Sequence, residues 1–116
     1  MHSSAALHGV PPSDACVVRH LLERHLRERP AQLFARFASG APDWSYADLH
    51  REVAAAAHAL RRSGVEQGEL VLCWLPNGPL AIRTWLALNC LGAIYVPLNP
   101  AFQGTILEHT IRLTGA

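Results

Sequence analysis

Apolar residues recur at helical spacing in the first quarter of the chain, and this stretch ends at a proline. The stripe consists of Val17, Val18, Leu21, Leu22 and Leu26. Such spacing predicts an amphipathic helix, and Ser13 or Asp14 can cap its N-terminus. Pro30 ends the helix because proline has no amide hydrogen to donate within it. Residues 1–13 are expected to form a loose leader before this helix.

A hairpin is predicted next. The short run 33–37 is a strand candidate, and the small and polar residues 39–43 are typical of a turn. Trp44 then begins a return strand. The pattern therefore predicts a small β-hairpin between the first and second helices.

The second helix has the clearest local signals. Ser45 can accept a hydrogen bond from the amide of Asp48, and the aspartate can reach back to the serine amide, as in a capping box. The apolar positions that follow are Leu49, Val53, Ala56, Ala57 and Leu60. They lie on one face of a helix, and Gly64 is placed to end it in a left-handed conformation.

The second half of the chain predicts a strand, a helix and another strand. Residues 70–75 are apolar without alternation, as expected for a strand whose two faces are both covered. Residues 80–91 are apolar nearly all round, which predicts a buried helix between Pro79 and Gly92. Residues 93–96 form the next strand. The three elements together predict a βαβ unit with a parallel strand pair.

A final helix from about Gly104 completes an α/β pattern. Arg83 is the unusual charge on the otherwise apolar third helix. Two roles are open for it: pairing with a carboxylate outside these residues, or extending to the surface along the helix. The pattern itself does not choose between them.

Composition narrows the class of protein. The chain has 116 residues, of which 50% are hydrophobic and 16% charged, with a formal net charge of +1. This is a globular composition with no electrostatic argument for binding nucleic acid or an anionic membrane. The apolar stretch 80–96 contains Arg83 and is shorter than the roughly 20 residues needed to cross a bilayer. We therefore expect no membrane span and no nucleic-acid partner.

No pattern for catalysis or metal binding is found. The ten basic residues are all arginine, so the chain lacks the lysine of a phosphate loop or a Schiff base. The histidines have no zinc-ligand spacing, and neither a nucleophile elbow nor a glycine-rich phosphate cradle occurs. The three cysteines, an odd number without a C-x-x-C motif, favour a reducing compartment. A cytoplasmic location is expected.

Two segments, in the middle and near the end of the chain, together resemble a known enzyme family. They are Trp44-Ser45-Tyr46-Ala47-Asp48-Leu49 and Gly92-Ala93-Ile94-Tyr95-Val96-Pro97-Leu98-Asn99-Pro100. In this order they resemble the opening of the adenylate-forming enzymes, which include acyl-CoA synthetases, peptide-synthetase adenylation domains and luciferases. Ser45 and Asp48 stand where the family usually has threonine and glutamate, and both replacements keep the capping chemistry.

The resemblance implies a fold and a parent reaction. Residues 14–116 would be the N-terminal part of an AMP-binding domain, truncated before the phosphate loop. The parent reaction would join a carboxylic acid to AMP from ATP and then to CoA, so ATP, Mg²⁺ and CoA are implied for a full-length member. Residues 101–109 look more like those of CoA ligases for fatty or carnitine-type acids than those of peptide synthetases.

The resemblance assigns no catalytic, cofactor-binding or metal residue within this chain. The family's phosphate loop, ribose-binding aspartate and C-terminal lysine come later than the two matched segments. We therefore expect the 116 residues to be inactive alone, and a carboxylic acid to be a substrate only of a full-length parent. The alternative is a non-catalytic small protein, either an inert remnant or a module that docks on a complete ligase. For an isolated fragment, the uncovered apolar strands predict self-association, whereas a sharply melting monomer that binds no hydrophobic dye would favour the docking module.

Overall fold

The computed structural model describes residues 12–116, so the predicted leader lies almost wholly outside the described residues. The described part is a mixed α/β structure, as predicted. In chain order its elements are α1 (Val18–Glu28), β1 (Leu33–Ala35), β2 (Trp44–Ser45), α2 (Tyr46–Arg62), β3 (Leu70–Cys73), α3 (Pro79–Leu91), β4 (Ile94–Pro97) and α4 (Gly104–Thr114).

The first helix begins later than predicted. A 3-10 turn occupies Ser13–Cys16, and Val17 then adopts an extended backbone before α1 starts. No side chain caps α1, so the predicted capping role of Ser13 or Asp14 is wrong. The extended conformation, which a β-branched residue adopts readily, separates the capping candidates from the helix that they were expected to start.

The predicted hairpin is present but short. Strands β1 and β2 pair antiparallel, with Leu33 opposite Ser45 and Ala35 opposite Trp44 across an irregular register. Phe37 packs edge-to-face on the Trp44 ring, with centroids 5.0 Å apart. This contact anchors the hairpin to the core, where Trp44 is buried.

Both ends of α2 have the predicted geometry. The Asp48 amide donates to Ser45 Oγ at 3.1 Å, and the Ser45 amide donates to Asp48 Oδ2 at 2.9 Å, which completes the capping box. At the other end, Gly64 has a φ of +101°. The amide of Val65 donates to the Leu60 carbonyl at 3.1 Å, in the arrangement of a Schellman motif. At each end of α2 the interacting residues lie within five positions of one another, so local sequence predicts both ends well.

The βαβ unit is confirmed. Strands β3 and β4 run parallel, in a register from Leu70 opposite Ile94 to Cys73 opposite Pro97. Gly92 ends α3 with a φ of +72°, and its carbonyl accepts from the Gly68 amide at 2.9 Å. The end of the helix is thereby tied to the start of β3.

The third helix lies between two layers. It packs against α1 and α2 on one side and against β4 on the other. The main core cluster consists of Trp44, Leu49, Val53, Leu86 and Ala87. Leu88, on the same helix, is fully buried outside this cluster. The helix is not buried along its whole length as predicted, because Leu80 and Trp85 are exposed.

The capping box gives a direct test of local stability. Ser45→Ala removes the oxygen that accepts the Asp48 amide, so we expect the free energy of unfolding to fall by about 1 kcal/mol. Ser39→Ala, in the exposed hairpin turn, is the control and should change it by less than about 0.5 kcal/mol. Urea unfolding followed by circular dichroism measures both values. Equal losses in the two variants would contradict this role for Ser45.

Candidate functional site

The carboxyl end of the parallel pair is the first place to look for a site, because open α/β sheets bind ligands there. An open cleft of about 360 Å³ lies between the start of α3 and β4. Its lining residues are Asn77, Gly78, Ala81, Ile82, Trp85 and Tyr95. The rings of Trp85 and Tyr95 are tilted against each other with centroids 6.4 Å apart, and burial raises the pKa of the Tyr95 hydroxyl. The cleft is apolar and aromatic.

The polar groups at this end serve the fold. Asn99 Oδ1 accepts from the Ala101 amide at 2.9 Å, and its carbonyl accepts from the Phe102 amide at 3.0 Å. The asparagine therefore shapes the turn after β4. From residue 70 to residue 107 the only charged side chain is Arg83. The cleft thus has no acid, base or cation for chemistry on a phosphate or a carboxylate.

Charged side chains gather instead beside the start of α2. A groove of about 520 Å³ is lined there by Asp43, Asp48, Arg51, Glu52 and Arg83, among other residues. Each of these charges has an ion-pair partner. Arg83 Nη1 lies 2.9 Å from Glu52 Oε1, Arg36 Nε lies 3.2 Å from Asp43 Oδ2, and Arg51 pairs with Asp48. The groove therefore offers no uncompensated cation to hold a triphosphate.

The sequence left the role of Arg83 open, and the structure shows an ion pair between Arg83 and Glu52. Arg83 has its carboxylate partner within these residues, and its side chain is still 40% exposed. It joins α3 to α2 through Glu52, which lies 31 positions earlier. No local pattern signals a pair at that separation, because the contact depends on how the two helices pack.

The ionisation of Asp48 follows from its capping role. Hydrogen bonds from the Ser45 amide and hydroxyl are the main cause of a lowered pKa for this carboxyl, and the nearby Arg51 guanidinium adds to the effect. Each of these groups favours the charged carboxylate. Asp48 is therefore part of the helix start and is not poised as a proton donor.

A second, smaller cleft of about 220 Å³ lies between α1 and α2. Arg19, Glu23 and His50 line it beside apolar side chains, and Cys90 lies among them. Burial raises the pKa of the Cys90 thiol, and also that of Cys73. At both sulfurs, burial thus disfavours the thiolate, which is the nucleophilic form of cysteine. Cys16, by contrast, is exposed, and its sulfur lies 3.4 Å from the Pro12 carbonyl oxygen.

One histidine packs against an aromatic ring, whereas others on the helices are exposed. His25 stacks on Tyr46 with ring centroids 4.8 Å apart, while His20, His50 and His58 are exposed. Across the described residues, no group of three His, Cys, Asp or Glu side chains could hold a metal ion. None of the described helices is both long and apolar enough to cross a bilayer.

Comparison with known proteins decides the family. The sequence profile of the family described as AMP-binding enzyme matches residues 22–116. The chain belongs to this family. The predicted resemblance to adenylate-forming enzymes is confirmed, and so is the α/β fold class.

The relatives are much longer than this chain. A feruloyl-CoA synthase from Amycolatopsis sp is 39% identical over 72 residues, which cover 62% of this chain and 15% of the synthase. An acetyl-coenzyme A synthetase from Methylobacterium radiotolerans is 32% identical over 104 residues, covering 86% of this chain and 16% of the synthetase. Among solved structures, apo MatB from Rhodopseudomonas palustris superposes with a TM-score of 0.70 at 28% identity, covering 79% of this chain and 18% of MatB. The chain spans about one sixth of the length of these relatives.

The two segments that carried the resemblance have structural positions in the fold. Residues 44–49 supply a buried tryptophan, the capping box and the buried Leu49. Residues 92–100 supply the stop of α3, the strand β4 and the turn that Asn99 shapes. The prediction that this chain holds no catalytic or cofactor-binding residue is not tested by these positions, and it stays a prediction.

The lowered pKa of Asp48 predicts an acid-sensitive component of stability. Since the folded-state pKa lies below the ordinary value of 3.8, the contribution of the carboxylate is complete above that pH and is lost as the pH falls through the folded-state pKa. Asp48→Asn should therefore lose less stability than the wild type over this acid range. Urea midpoints measured from neutral pH to well below 3.8 check this. Parallel curves for the two proteins would contradict it.

The Arg83–Glu52 pair should be worth little in spite of its long sequence separation. The two side chains are 40% and 39% exposed, so solvent screens their attraction. A double-mutant cycle with Arg83→Gln and Glu52→Gln should give a coupling below about 1 kcal/mol. Added salt should reduce it further. A coupling above about 2 kcal/mol would mean that the pair is effectively desolvated.

Proposed function

We propose that these 116 residues are the N-terminal part of the adenylation domain of an ATP-dependent acid–CoA ligase. The observation that carries this proposal is the family match over residues 22–116. Relatives named as CoA synthases and synthetases support it. A role in fatty acid metabolism would follow from the resemblance of residues 101–109 to ligases for fatty or carnitine-type acids.

The reaction of the longer protein would have two steps. A carboxylate oxygen attacks the α-phosphorus of ATP, the bond to the β-phosphate bridge breaks, and pyrophosphate leaves. The CoA thiolate then attacks the acyl carbonyl, and AMP leaves with the carboxylate oxygen. Both steps need donors that stabilise charge on phosphate oxygens. The described residues do not fit ATP or Mg²⁺, because the acids and bases of the charged groove are paired with one another and no metal cluster occurs among these residues.

This chain's part in that reaction would be structural. Its βαβ unit fixes the position of the loops after β3 and β4, and the capping box fixes the start of α2. Donors for the triphosphate would come from residues beyond the two matched segments. The odd number of cysteines and the lack of a C-x-x-C motif support a cytoplasmic location.

A non-catalytic module that docks on a complete ligase is the second candidate. The exposed apolar side chains of β3, β4 and α4 favour it, because a surface of this kind usually has a partner. In that case the chain would bind a ligase without completing its active site. The exchange experiment below separates the two candidates.

The proposed function predicts that the purified chain alone has no activity. We expect no ATP–pyrophosphate exchange above the blank with a panel of fatty, carnitine-type and hydroxycinnamic acids, because the chain has no lysine or glycine-rich phosphate loop. A longer polypeptide that continues through those motifs should show exchange with at least one acid. Its variant with the phosphate-loop lysine replaced by alanine is the control.

Two outcomes would contradict the proposal. Exchange by the short chain, abolished by a substitution within it, would show that these residues carry chemistry of their own. A folded longer polypeptide that contains the motifs but exchanges with no acid would remove the ligase assignment. Addition of the short chain to an active relative, with a change in that relative's rate, would support the docking candidate instead.

A further inference from the structure

The chain contains three asparagines, and each is followed by a different kind of residue. Asn77 precedes a glycine, Asn89 precedes a cysteine and Asn99 precedes a proline. Asparagine is chemically labile where the backbone nitrogen of the next residue can attack its side-chain amide. That attack needs a following amide that carries a hydrogen, is unhindered and has no hydrogen-bond partner of its own. The three asparagines differ in these respects.

The step from Asn77 to Gly78 is open to this attack. Asn77 is exposed in the loop between β3 and α3, and Gly78 is the last residue before the helix. In the part of the chain that the structure describes, no hydrogen bond holds the Asn77 side chain or engages the Gly78 amide. A Cβ at Gly78 would meet no atom within 4 Å, so there is open space beside this backbone. Because glycine has no side chain, nothing of its own hinders the approach of its nitrogen.

The fold holds the other two asparagines. Asn89 lies within α3, where its Nδ2 donates to the Trp85 carbonyl at 2.8 Å. The amide that follows it is part of the helical hydrogen-bond pattern. Asn99 Oδ1 accepts from the Ala101 amide at 2.9 Å, and the proline that follows has no amide hydrogen to lose. Neither position therefore offers a free backbone nitrogen as a nucleophile.

We propose that Asn77 is a site of spontaneous deamidation. The Gly78 nitrogen loses its proton and attacks Cγ of Asn77, so that a new C–N bond closes a succinimide ring. The bond between Cγ and Nδ2 then breaks, and Nδ2 leaves as ammonia after taking up a proton in place of the one that the backbone lost. Water opens the ring at either of its carbonyls, which gives aspartate or isoaspartate. Water is the only co-reactant, and no group is oxidised or reduced.

Both products place a carboxylate where the described fold has none. Asn77 lines the aromatic cleft together with Trp85 and Tyr95, and the first turn of α3 contains no acidic residue. An aspartate beside this helix start is favoured by the helix dipole. Isoaspartate also adds a methylene group to the main chain directly before α3. Deamidation therefore changes the charge of the cleft, and in the second product it changes the backbone that leads into the helix.

The test follows the folded chain over time by peptide mass spectrometry. Trypsin yields peptide 63–83, which carries Asn77, and peptide 84–112, which carries Asn89 and Asn99. Digestion in heavy-oxygen water marks any deamidation that occurs during the digest, and fragment spectra assign each change to a residue. We expect Asn77 to deamidate with first-order kinetics, at a rate that rises with pH. It should react at least about tenfold faster than Asn89 or Asn99, because only its neighbouring nitrogen is free and close.

Three comparisons make the test specific. Asn77→Gln is the matched control: its attack has to close a larger ring, so deamidation at this position should slow by more than about tenfold. Asn77→Asp supplies the aspartate product and should elute from an anion-exchange column with the acidic form that the wild type accumulates. A synthetic peptide of residues 63–83 gives the rate without a fold, and the folded chain should react within about tenfold of it.

Three outcomes would overturn the proposal. A folded chain that reacts more than about tenfold slower than the synthetic peptide would show that the fold protects Asn77. Equal rates at Asn77, Asn89 and Asn99 would show that the local surroundings do not select the site. An acidic form that Asn77→Gln accumulates as fast as the wild type would place the change at another residue. All three are independent of the ligase assignment, which the exchange experiment tests.

Discussion

The burial of α3 between two layers is the constraint on which the rest of the described structure depends. The helix is apolar nearly all round, and it meets the α1–α2 layer through Leu86 and Ala87 while its other side packs against β4. A parallel pair of strands cannot be joined by a tight turn, so a crossover element of this kind is obligatory. The same helix therefore supplies both the connection and the core residues Leu86 and Ala87.

Local signals in the sequence predicted the parts of this fold that depend on neighbours in the chain. The capping box of Ser45 and Asp48 and the stop at Gly92 each involve residues within a few positions, and each is present as predicted. The predicted start of α1 is wrong, although capping is also a local interaction. The extended backbone of Val17 separates Ser13 and Asp14 from the helix, so neither residue can cap it.

Contacts between distant residues could not be predicted in the same way. The partner of Arg83 lies on another helix, and the stacking of His25 on Tyr46 joins α1 to the start of α2. Both contacts depend on the angle and distance between helices, which one sequence does not encode in any simple spacing. The candidate site shows the same limit: the aromatic cleft beside α3 brings Trp85 and Tyr95 together from separate elements.

The junction at Gly92 has a consequence for how the two strands are aligned. A Cβ at this position would lie 2.9 Å from Cγ of Gln67, and the Gly92 carbonyl accepts from the amide of Gly68, two residues before the start of β3. Two residues after Gly92, the Ile94 amide donates to the Glu69 carbonyl at 2.7 Å and begins the ladder. Gly92 therefore lies at the point where the parallel pairing of β3 with β4 begins. A larger residue there would displace the Gln67 side chain and would have to hold a left-handed backbone conformation, at the point where the pairing of β3 with β4 begins.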